Sequence, residues 1–575
     1  MNKEEIKISR KRTFVPNDFK IDVWDNLKKY FDQLLDYKID SIEQLNTWLL
    51  NRSELESIVS EDLGRRYISM TCYTDNEQYR DSFNFFIENI EPNIAPYTNK
   101  LNIKLANCPY VSALQSEADI IMVNKIKIDL DIFREENIPL VTQLQSKQQE
   151  YGATCGAMTI TDEGKEYTMQ QAGAKLQDVD RSVRERFYIK INERRLQDKE
   201  KLDGLFTDLI RLRHQLAVNA GFKNFRDYMF KAMHRFDYSP EDCFKFHEAI
   251  KTTVVPLLNK IGLERQNKLK VDTLRPWDLA VDPDNKPPLR PFEGGNDLLE
   301  KTIRCFDAMD PFLSECLSIM KEMNHLDLES RKGKAPGGYN YPLDETGVPF
   351  IFMNAAGTMQ DVVTMLHEGG HAVHSIVTKP LKLSEYRNLT SEIAELASMS
   401  MELMSMDHWD VYLPNKEDFK RAKLHHLEHA LETLPWVATI DKFQHWVYEN
   451  PEHTLEQRSE QWNKIHSEFG LSCLDWSGLQ SFKSNIWQKQ LHLFEVPFYY
   501  IEYGIAQLGA FGVWKNSKEN FKKGLNQYLD ALRLGYTASI STVYNTAGVT
   551  FDFSEAHIKT LVSFVESEIH KIEHS

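Results

Sequence analysis

Residues Thr358 to Val377 read TMQDVVTMLHEGGHAVHSIV, and this stretch decides how the rest of the chain is interpreted. The segment from His367 to His371 has the H-E-x-x-H form of a zinc-hydrolase helix. Four residues turn about 400° and rise about 6 Å along an α-helix, so the two imidazoles stand one above the other on one face. Both can then reach a single metal ion at ~2.0–2.1 Å. Glu368 lies beside that ion, where it can take a proton from a water molecule.

The flanking residues predict a buried helix with defined ends. Thr358 and Asp361 form an S/T-x-x-D start signal, and Pro380 prevents the helix from continuing. The side chains between these limits are apolar around most of the circumference, as in a buried helix. The adjacent Gly369 and Gly370 each cost roughly 1 kcal/mol relative to alanine. We therefore expect a packed neighbour or a substrate to approach the backbone closely there.

A third metal ligand is expected from the next helical segment, Ser391 to Met404, which reads SEIAELASMSMELM. Zinc peptidases use three protein ligands and leave the fourth position to water. Glu392 and Glu395 lie three residues apart on one face, and spacing does not choose between them. Carboxylates within such an apolar run need a partner. The sequence therefore predicts one Zn²⁺ per chain.

These two segments also resemble the oligoendopeptidase F branch of the thimet oligopeptidase family. The similarity covers H-E-G-G-H-A-V-H-S and then E-L-A-S-M-S-M-E, which starts at Glu395 and continues through Ser398 to Glu402. By this resemblance the metal ligands are His367, His371 and Glu395. It also implies a mainly α, elongated multi-helix peptidase with a deep channel between two halves and a small β element beside the zinc helix.

A second stretch of the resemblance runs from His492 to Gly504, HLFEVPFYYIEYG. Tyr500 and Tyr503 share a helix face, and a buried tyrosine hydroxyl needs a partner. The resemblance implies that His492, Tyr500 and Tyr503 donate hydrogen bonds to the oxyanion and to substrate. Tyr499 is expected to pack against its neighbours instead.

Composition limits the partners and the compartment. The net charge of −16 argues against nucleic acid and anionic membrane as partners. Seven scattered cysteines with no C-x-x-C suggest neither a disulfide framework nor a thiolate zinc site. The basic N-terminus lacks a following apolar region, and the most apolar window, 496–514, is a poor membrane span. We expect a soluble, cytoplasmic protein.

The pattern along the chain predicts an N-terminal helical region, 1–180, with a small hairpin near 159–169. Residues 181–575 are predicted to form the catalytic metallopeptidase domain. The run from Pro349 to Asn354 predicts a strand just before the zinc helix, and its free edge could pair with a substrate backbone.

The functional prediction is a zinc-dependent oligoendopeptidase that cleaves internal bonds of short unstructured peptides. One alternative is an exopeptidase of the same chemistry that releases dipeptides from a C-terminus. A less favoured alternative is a non-catalytic peptide-binding scaffold, against which the intact H-E-x-x-H argues.

Overall fold

The computed structural model describes residues 3–335 and 337–574, and these residues are mainly α-helical. The first twelve helices are α1 (Lys3–Lys7), α2 (Trp24–Asp36), α3 (Ile42–Cys72), α4 (Glu77–Asn89), α5 (Glu91–Ala106), α6 (Glu117–Ile132), α7 (Ile138–Gly156), α8 (Met169–Ala174), α9 (Arg181–Gln197), α10 (Lys199–Asn219), α11 (Phe225–Ala232) and α12 (Pro240–Leu269).

The remaining α-helices are α13 (Gly294–Met309), α14 (Pro311–Glu322), α15 (Met359–Thr378), α16 (Ser391–Ser405), α17 (Lys416–Glu449), α18 (Leu455–Phe469), α19 (Gln480–Asn485), α20 (Leu491–Glu495), α21 (Tyr500–Glu519), α22 (Phe521–Arg533), α23 (Ile540–Thr546) and α24 (Glu555–Glu573). Short 3₁₀ helices cover Val111–Ala113, Glu135–Asn137, Lys175–Gln177, Pro276–Asp278, Ser384–Tyr386, Met406–Val411 and Ile486–Lys489. The strands are β1 (Thr159–Asp162), β2 (Lys165–Thr168), β3 (Leu326–Glu329), β4 (Tyr339–Tyr341) and β5 (Phe350–Ala355). The mainly α prediction is confirmed.

The chain forms two compact units built from interleaved segments. The first unit comprises Met1–Leu130, Arg290–Lys423 and Ala506–Phe551. The second comprises Asp131–Leu289, Leu424–Ile505 and Asp552–Ser575. Within the first unit, helices α2 to α6 share an apolar core. At its centre the Trp48 indole is fully buried and donates a hydrogen bond to the Leu34 carbonyl at 2.8 Å.

A three-stranded sheet in the first unit precedes helix α15, in the order β3-β5-β4. Strand β5 pairs in parallel with β3 and antiparallel with β4. The predicted strand is therefore present, but the prediction that it offers a free edge is wrong. Both sides of β5 are occupied along the pairs Ile351–Leu326 and Ile351–Asn340. A six-residue pattern does not reveal these partners, because each lies elsewhere in the sequence.

Helix α15 begins and ends where the sequence signals predict. The Thr358 hydroxyl accepts a hydrogen bond from the Asp361 amide, and the Asp361 carboxylate accepts one from the Thr358 amide at 2.8 Å. This capping box satisfies two backbone donors that the first helical turn would otherwise leave unpaired. The helix ends at Thr378, two residues before Pro380. It packs against α13, α14, α16 and α22.

The second unit contains the predicted hairpin, β1-β2, whose strands pair antiparallel. Its turn residues Glu163 and Gly164 both have positive φ, which suits the twist of a two-residue hairpin loop. Across the described ranges, no helix has the length and apolarity that crossing a bilayer requires.

Candidate metal centre and active site

Two helices of the first unit bring three ligand-type side chains together. His367 and His371 lie one turn apart on α15, with ring centroids 4.8 Å apart. On α16, the Glu395 carboxylate oxygen Oε2 is 3.3 Å from His367 Nε2 and 3.7 Å from His371 Nε2. The ligand atoms of all three residues lie within 4.8 Å of one another. Glu392, the alternative that spacing left open, is not part of this group.

The two adjacent glycines explain how α15 and α16 come so close. A Cβ atom on Gly370 would lie 2.7 Å from the Ala397 carbonyl oxygen and from the Ser398 Cα atom. A Cβ atom on Gly369 would lie 2.7 Å from the Phe306 ring. The close approach predicted from these glycines is therefore made by packed neighbours. Any side chain at 370 would push Glu395 away from the two histidines.

A second layer of hydrogen bonds orients these side chains. His367 Nδ1 lies 2.6 Å from Glu402 Oε1, so its other nitrogen, Nε2, faces the cluster. The Ser398 hydroxyl donates to Glu395 Oε2 at 2.9 Å. Carboxylates that hold the second nitrogen of a metal-binding histidine fix the ring and raise its basicity.

Electrostatics in the cluster favour a cation. Burial by itself lowers the pKa of His367, but the Glu395 and Glu402 carboxylates outweigh it and hold that pKa well above its usual range. Burial raises the pKa of Glu395, yet His367 and His371 bring it down to about 2. The buried carboxylate of Glu395 and the partly buried one of Glu402 thus concentrate negative charge around the imidazoles. Two imidazole nitrogens and one carboxylate oxygen fit the donor set of a catalytic zinc site.

Glu368 is the candidate proton acceptor and lies next to His367 on α15. Its side chain is buried, and burial raises the pKa of Glu368 to about 7. The Asn340 side chain of strand β4 donates to the Glu368 carbonyl oxygen at 3.2 Å, which ties the helix to the sheet. A carboxylate beside the candidate metal ligands, but outside their group, suits general-base chemistry.

The second unit contains the predicted histidine and tyrosines as one aromatic cluster. The Tyr503 hydroxyl is 3.5 Å from His492 Nε2, and the Tyr500 ring centroid lies 4.8 Å from that of His492. Burial raises the pKa of Tyr500 to about 12, so its hydroxyl remains a hydrogen-bond donor at neutral pH. Tyr499 also contacts the cluster, since its ring centroid lies 5.3 Å from that of Tyr503.

Phe498 lies two residues before the helix that carries Tyr500 and Tyr503, and its backbone conformation is unusual. Phe498 is fully buried and has a φ of 67°, in the left-handed region that bulky residues rarely adopt. Its amide donates to Gln444 Oε1 at 2.6 Å, and its carbonyl accepts a hydrogen bond from Arg235. Arg235 also pairs with Glu502 at 2.7 Å. These contacts hold the start of α21 in place.

Two models of known protein families match this chain. Residues 175–563 match Peptidase family M3, and residues 14–133 match the Peptidase M3 N-terminal domain. The chain belongs to peptidase family M3. The resemblance to oligoendopeptidase F inferred from the sequence is confirmed.

This M3 chain is similar in sequence to two oligopeptidases and in fold to a solved peptidase structure. Oligopeptidase PepF of Bacillus subtilis (strain 168) is 24% identical over 339 residues, covering 56% of this chain and 47% of the relative. The chromosomal oligoendopeptidase F of Lactococcus lactis subsp. cremoris is 23% identical over 328 residues, covering 56% and 52%. These matches span about half the length of each relative. The solved structure of PZ peptidase A with an inhibitor has a TM-score of 0.90 and 28% identity, over 97% of this chain and 99% of that one.

Sequence reasoning missed two residues that position groups in this M3 chain. Gln490 Nε2 lies 2.7 Å from His492 Nδ1, and Gln490 Oε1 accepts from the Trp436 indole at 3.0 Å. If the amide donates to Nδ1, the His492 proton sits on Nε2, towards Tyr503. Gln490 precedes His492 by two residues, so the only sequence pattern that could have indicated this contact is Q-x-H. Trp436 lies too far away in sequence to be found by pattern.

Proposed function

We propose that this M3 chain is a zinc-dependent oligoendopeptidase that hydrolyses internal peptide bonds of short, unstructured peptides. The grouping of the His367, His371 and Glu395 ligand atoms within 4.8 Å, with Glu368 adjacent, is the observation that carries the proposal. The names of the relatives, an oligopeptidase and an oligoendopeptidase, support peptide substrates and internal cleavage.

In this proposal His367, His371 and Glu395 hold one zinc ion. When bound, zinc supplies Lewis-acid polarisation of the scissile carbonyl and of the attacking water. The Glu368 carboxylate accepts a proton from that water and passes it to the leaving amine. Glu402 keeps His367 Nε2 directed at the ion through its hydrogen bond to Nδ1.

We assign His492, Tyr500 and Tyr503 the role of hydrogen-bond donors to the substrate, on the basis of the family resemblance. Their support is the cluster itself, in which an imidazole and two phenols meet at a partly exposed surface of the second unit. Preorganised donors of this kind stabilise negative charge that develops in a transition state.

The test compares Glu368→Gln with wild type on an internally quenched fluorogenic peptide. We expect Glu368→Gln to keep its zinc but to lose at least ~10²–10⁴ in turnover, because the proton acceptor is gone. Glu432→Gln, an exposed glutamate of α17 outside the ligand group, is the control and should cleave at nearly the wild-type rate. Wild-type turnover by zinc-loaded Glu368→Gln would overturn the mechanism.

Product analysis separates internal cleavage from dipeptide release. A peptide with a blocked C-terminus should still be cut, and mass spectrometry should find fragments from internal bonds. If cleavage requires a free C-terminus and yields only dipeptides, the exopeptidase alternative is correct. No cleavage of any peptide by zinc-loaded wild type would support the non-catalytic scaffold.

A further inference from the structure

A second group of ligand-type side chains lies inside the second unit. Cys243 and His247 are one turn apart on α12, and Asp441 and His445 are one turn apart on α17. His247 Nε2 is 2.8 Å from Asp441 Oδ2, and His445 Nε2 is 3.3 Å from the same oxygen. The ligand atoms of Cys243, Asp441 and His445 lie within 4.8 Å of one another.

This group is more deeply buried than the candidate catalytic centre. The exposed fractions are 0% for Asp441, 1% for Cys243 and His247, and 2% for His445. Aromatic rings surround it, with the Phe244 and Phe498 centroids 4.8 and 5.3 Å from that of His445. A carboxylate in such surroundings needs strong compensation.

Several buried polar atoms of this group have no hydrogen-bond partner among the described residues. Both ring nitrogens of His445, Nδ1 of His247 and Oδ1 of Asp441 lack a hydrogen-bond partner in the described chain. Buried polar atoms without a partner are rare in folded proteins, and several in one cluster call for an explanation. His445 Nε2 and Asp441 Oδ2 are close, yet their geometry is not that of a hydrogen bond.

Their separation instead matches two ligands of one small cation. In a tetrahedral zinc site with bonds of ~2.0–2.1 Å, neighbouring nitrogen and oxygen ligands are roughly 3.3–3.4 Å apart. His445 Nε2 and Asp441 Oδ2 are 3.3 Å apart, the same distance as His367 Nε2 and Glu395 Oε2 in the candidate catalytic centre.

The charges and donor types also suit zinc. A thiolate and a carboxylate carry two negative charges, which a divalent cation neutralises inside an apolar region. Sulfur, nitrogen and oxygen donors together favour Zn²⁺ over Mg²⁺ or Ca²⁺, which prefer oxygen alone. His247 Nε2 lies 2.8 Å from Asp441 Oδ2 and can hold the carboxylate in place, as second-layer partners of metal ligands do.

We propose that Cys243, Asp441 and His445 bind a second zinc ion that stabilises the second unit, with His247 positioning Asp441. The side chains are buried and offer a substrate no access, so we assign this site a structural role rather than a catalytic one. The scattered cysteines suggest no thiolate zinc site, because Cys243 and His445 lie on helices far apart in the chain and form no C-x-x-C. With this second site the chain would hold two zinc ions, one more than the sequence predicts.

Metal content and a thiolate-specific signal test this proposal together. We expect two zinc ions per chain in the purified wild type by elemental analysis, and one in His371→Ala. After refolding with Co²⁺, wild type and His371→Ala should both show near-ultraviolet thiolate-to-cobalt charge-transfer absorption. The catalytic centre contains no sulfur, so this band reports only on Cys243.

Cys243→Ser should lose the band and one metal ion. Cys316→Ser is the matched control, because Cys316 is equally buried but lies outside both ligand groups. It should keep the band and both ions. If Cys243→Ser does not fold, wild type and His371→Ala decide the question.

One zinc per wild-type chain, without a thiolate band, would overturn the second site and leave a buried hydrogen-bonded cluster. That result would not affect the proposed peptidase, whose failure would appear in the Glu368→Gln comparison instead.

Discussion

His367 Nδ1 lies 2.6 Å from Glu402 Oε1, and this contact joins the H-E-x-x-H helix to a carboxylate two turns beyond Glu395 on α16. Because the hydrogen bond occupies Nδ1, only Nε2 of His367 is directed at Glu395 and His371. Helix α16 therefore contributes twice to the candidate metal centre. In the proposed centre Glu395 would supply a ligand atom, and Glu402 would orient a ligand on the facing helix.

Replacing Glu402 by Gln should weaken zinc binding by about 10–100-fold, because a neutral amide supports the imidazole less strongly than a carboxylate. Competition with a chromogenic chelator would measure the affinity. Glu432→Gln, exposed on α17 and outside the ligand group, is the control and should bind zinc like wild type. Unchanged zinc affinity in Glu402→Gln would show that the contact does not support the metal centre.

Gly370→Ala should destabilise the first unit even though alanine favours helix. The new methyl group would lie 2.7 Å from backbone atoms of Ala397 and Ser398, so α15 and α16 must separate. Overpacking of this kind costs roughly 1–3 kcal/mol. We expect a lower thermal midpoint and reduced zinc content, because Glu395 moves with α16.

The chain offers a matched control for this substitution. Gly204 lies inside α10, and a Cβ atom there would meet nothing within 4 Å. Gly204→Ala should therefore stabilise the protein by roughly 0.5–1 kcal/mol through helix propensity alone. Equal and positive shifts of the thermal midpoint in both variants would contradict the packing argument.

Tyr503→Phe should lower kcat by about 10²–10³ with little change in KM, as expected when one donor to a developing oxyanion is removed. Its hydroxyl is the one that approaches His492 Nε2, at 3.5 Å. Steady-state kinetics on a fluorogenic peptide would measure the effect. Tyr499→Phe removes a neighbouring hydroxyl from the same cluster and should keep most of the activity. If Tyr499→Phe were the more damaging change, the assignment of Tyr503 would be wrong.

Local patterns predicted the parts of this molecule that depend on local geometry. The capping box at Thr358, the end before Pro380 and the shared face of His367 and His371 all follow from helical periodicity and capping chemistry. The close approach at Gly370 followed from the cost of glycine inside a helix.

Features that depend on distant segments could not be predicted in this way. Glu392 and Glu395 share one helix face. Only the position of α15 shows that Glu395 is the one that lies beside the two histidines. Strand β5 looked like an edge strand because its partners lie elsewhere in the sequence. The cluster of Cys243 and His445 is likewise formed by two helices that are far apart in the chain.

Asp327 on the edge strand β3 gives the fold an acid-sensitive contact. Its carboxylate pairs with Arg331 at 2.6 Å and with Lys334 at 2.8 Å, and the Lys334 side chain is fully buried. Burial raises the pKa of Asp327, but these two cations outweigh it and lower that pKa from 3.8 to about 2.

Because the folded-state pKa lies below the unfolded value, the carboxylate stabilises the fold above about pH 4, and this contribution is lost as the pH falls through about 2. Water screens this partly exposed group, so the discounted contribution is roughly 1 kcal/mol at neutral pH. Asp327→Asn should therefore lower the urea midpoint at pH 7, and its difference from wild type should shrink only below about pH 4.

An exposed ion pair provides the comparison for Asp327. Asp530 and Arg533 are both more than half exposed, and water screens such pairs strongly. Asp530→Asn should shift the urea midpoint little at any pH. A difference between Asp327→Asn and wild type that stayed constant from pH 7 down to the acid transition would mean that the carboxylate charge does not stabilise the sheet. In that case the loss would come from side-chain packing, which does not titrate.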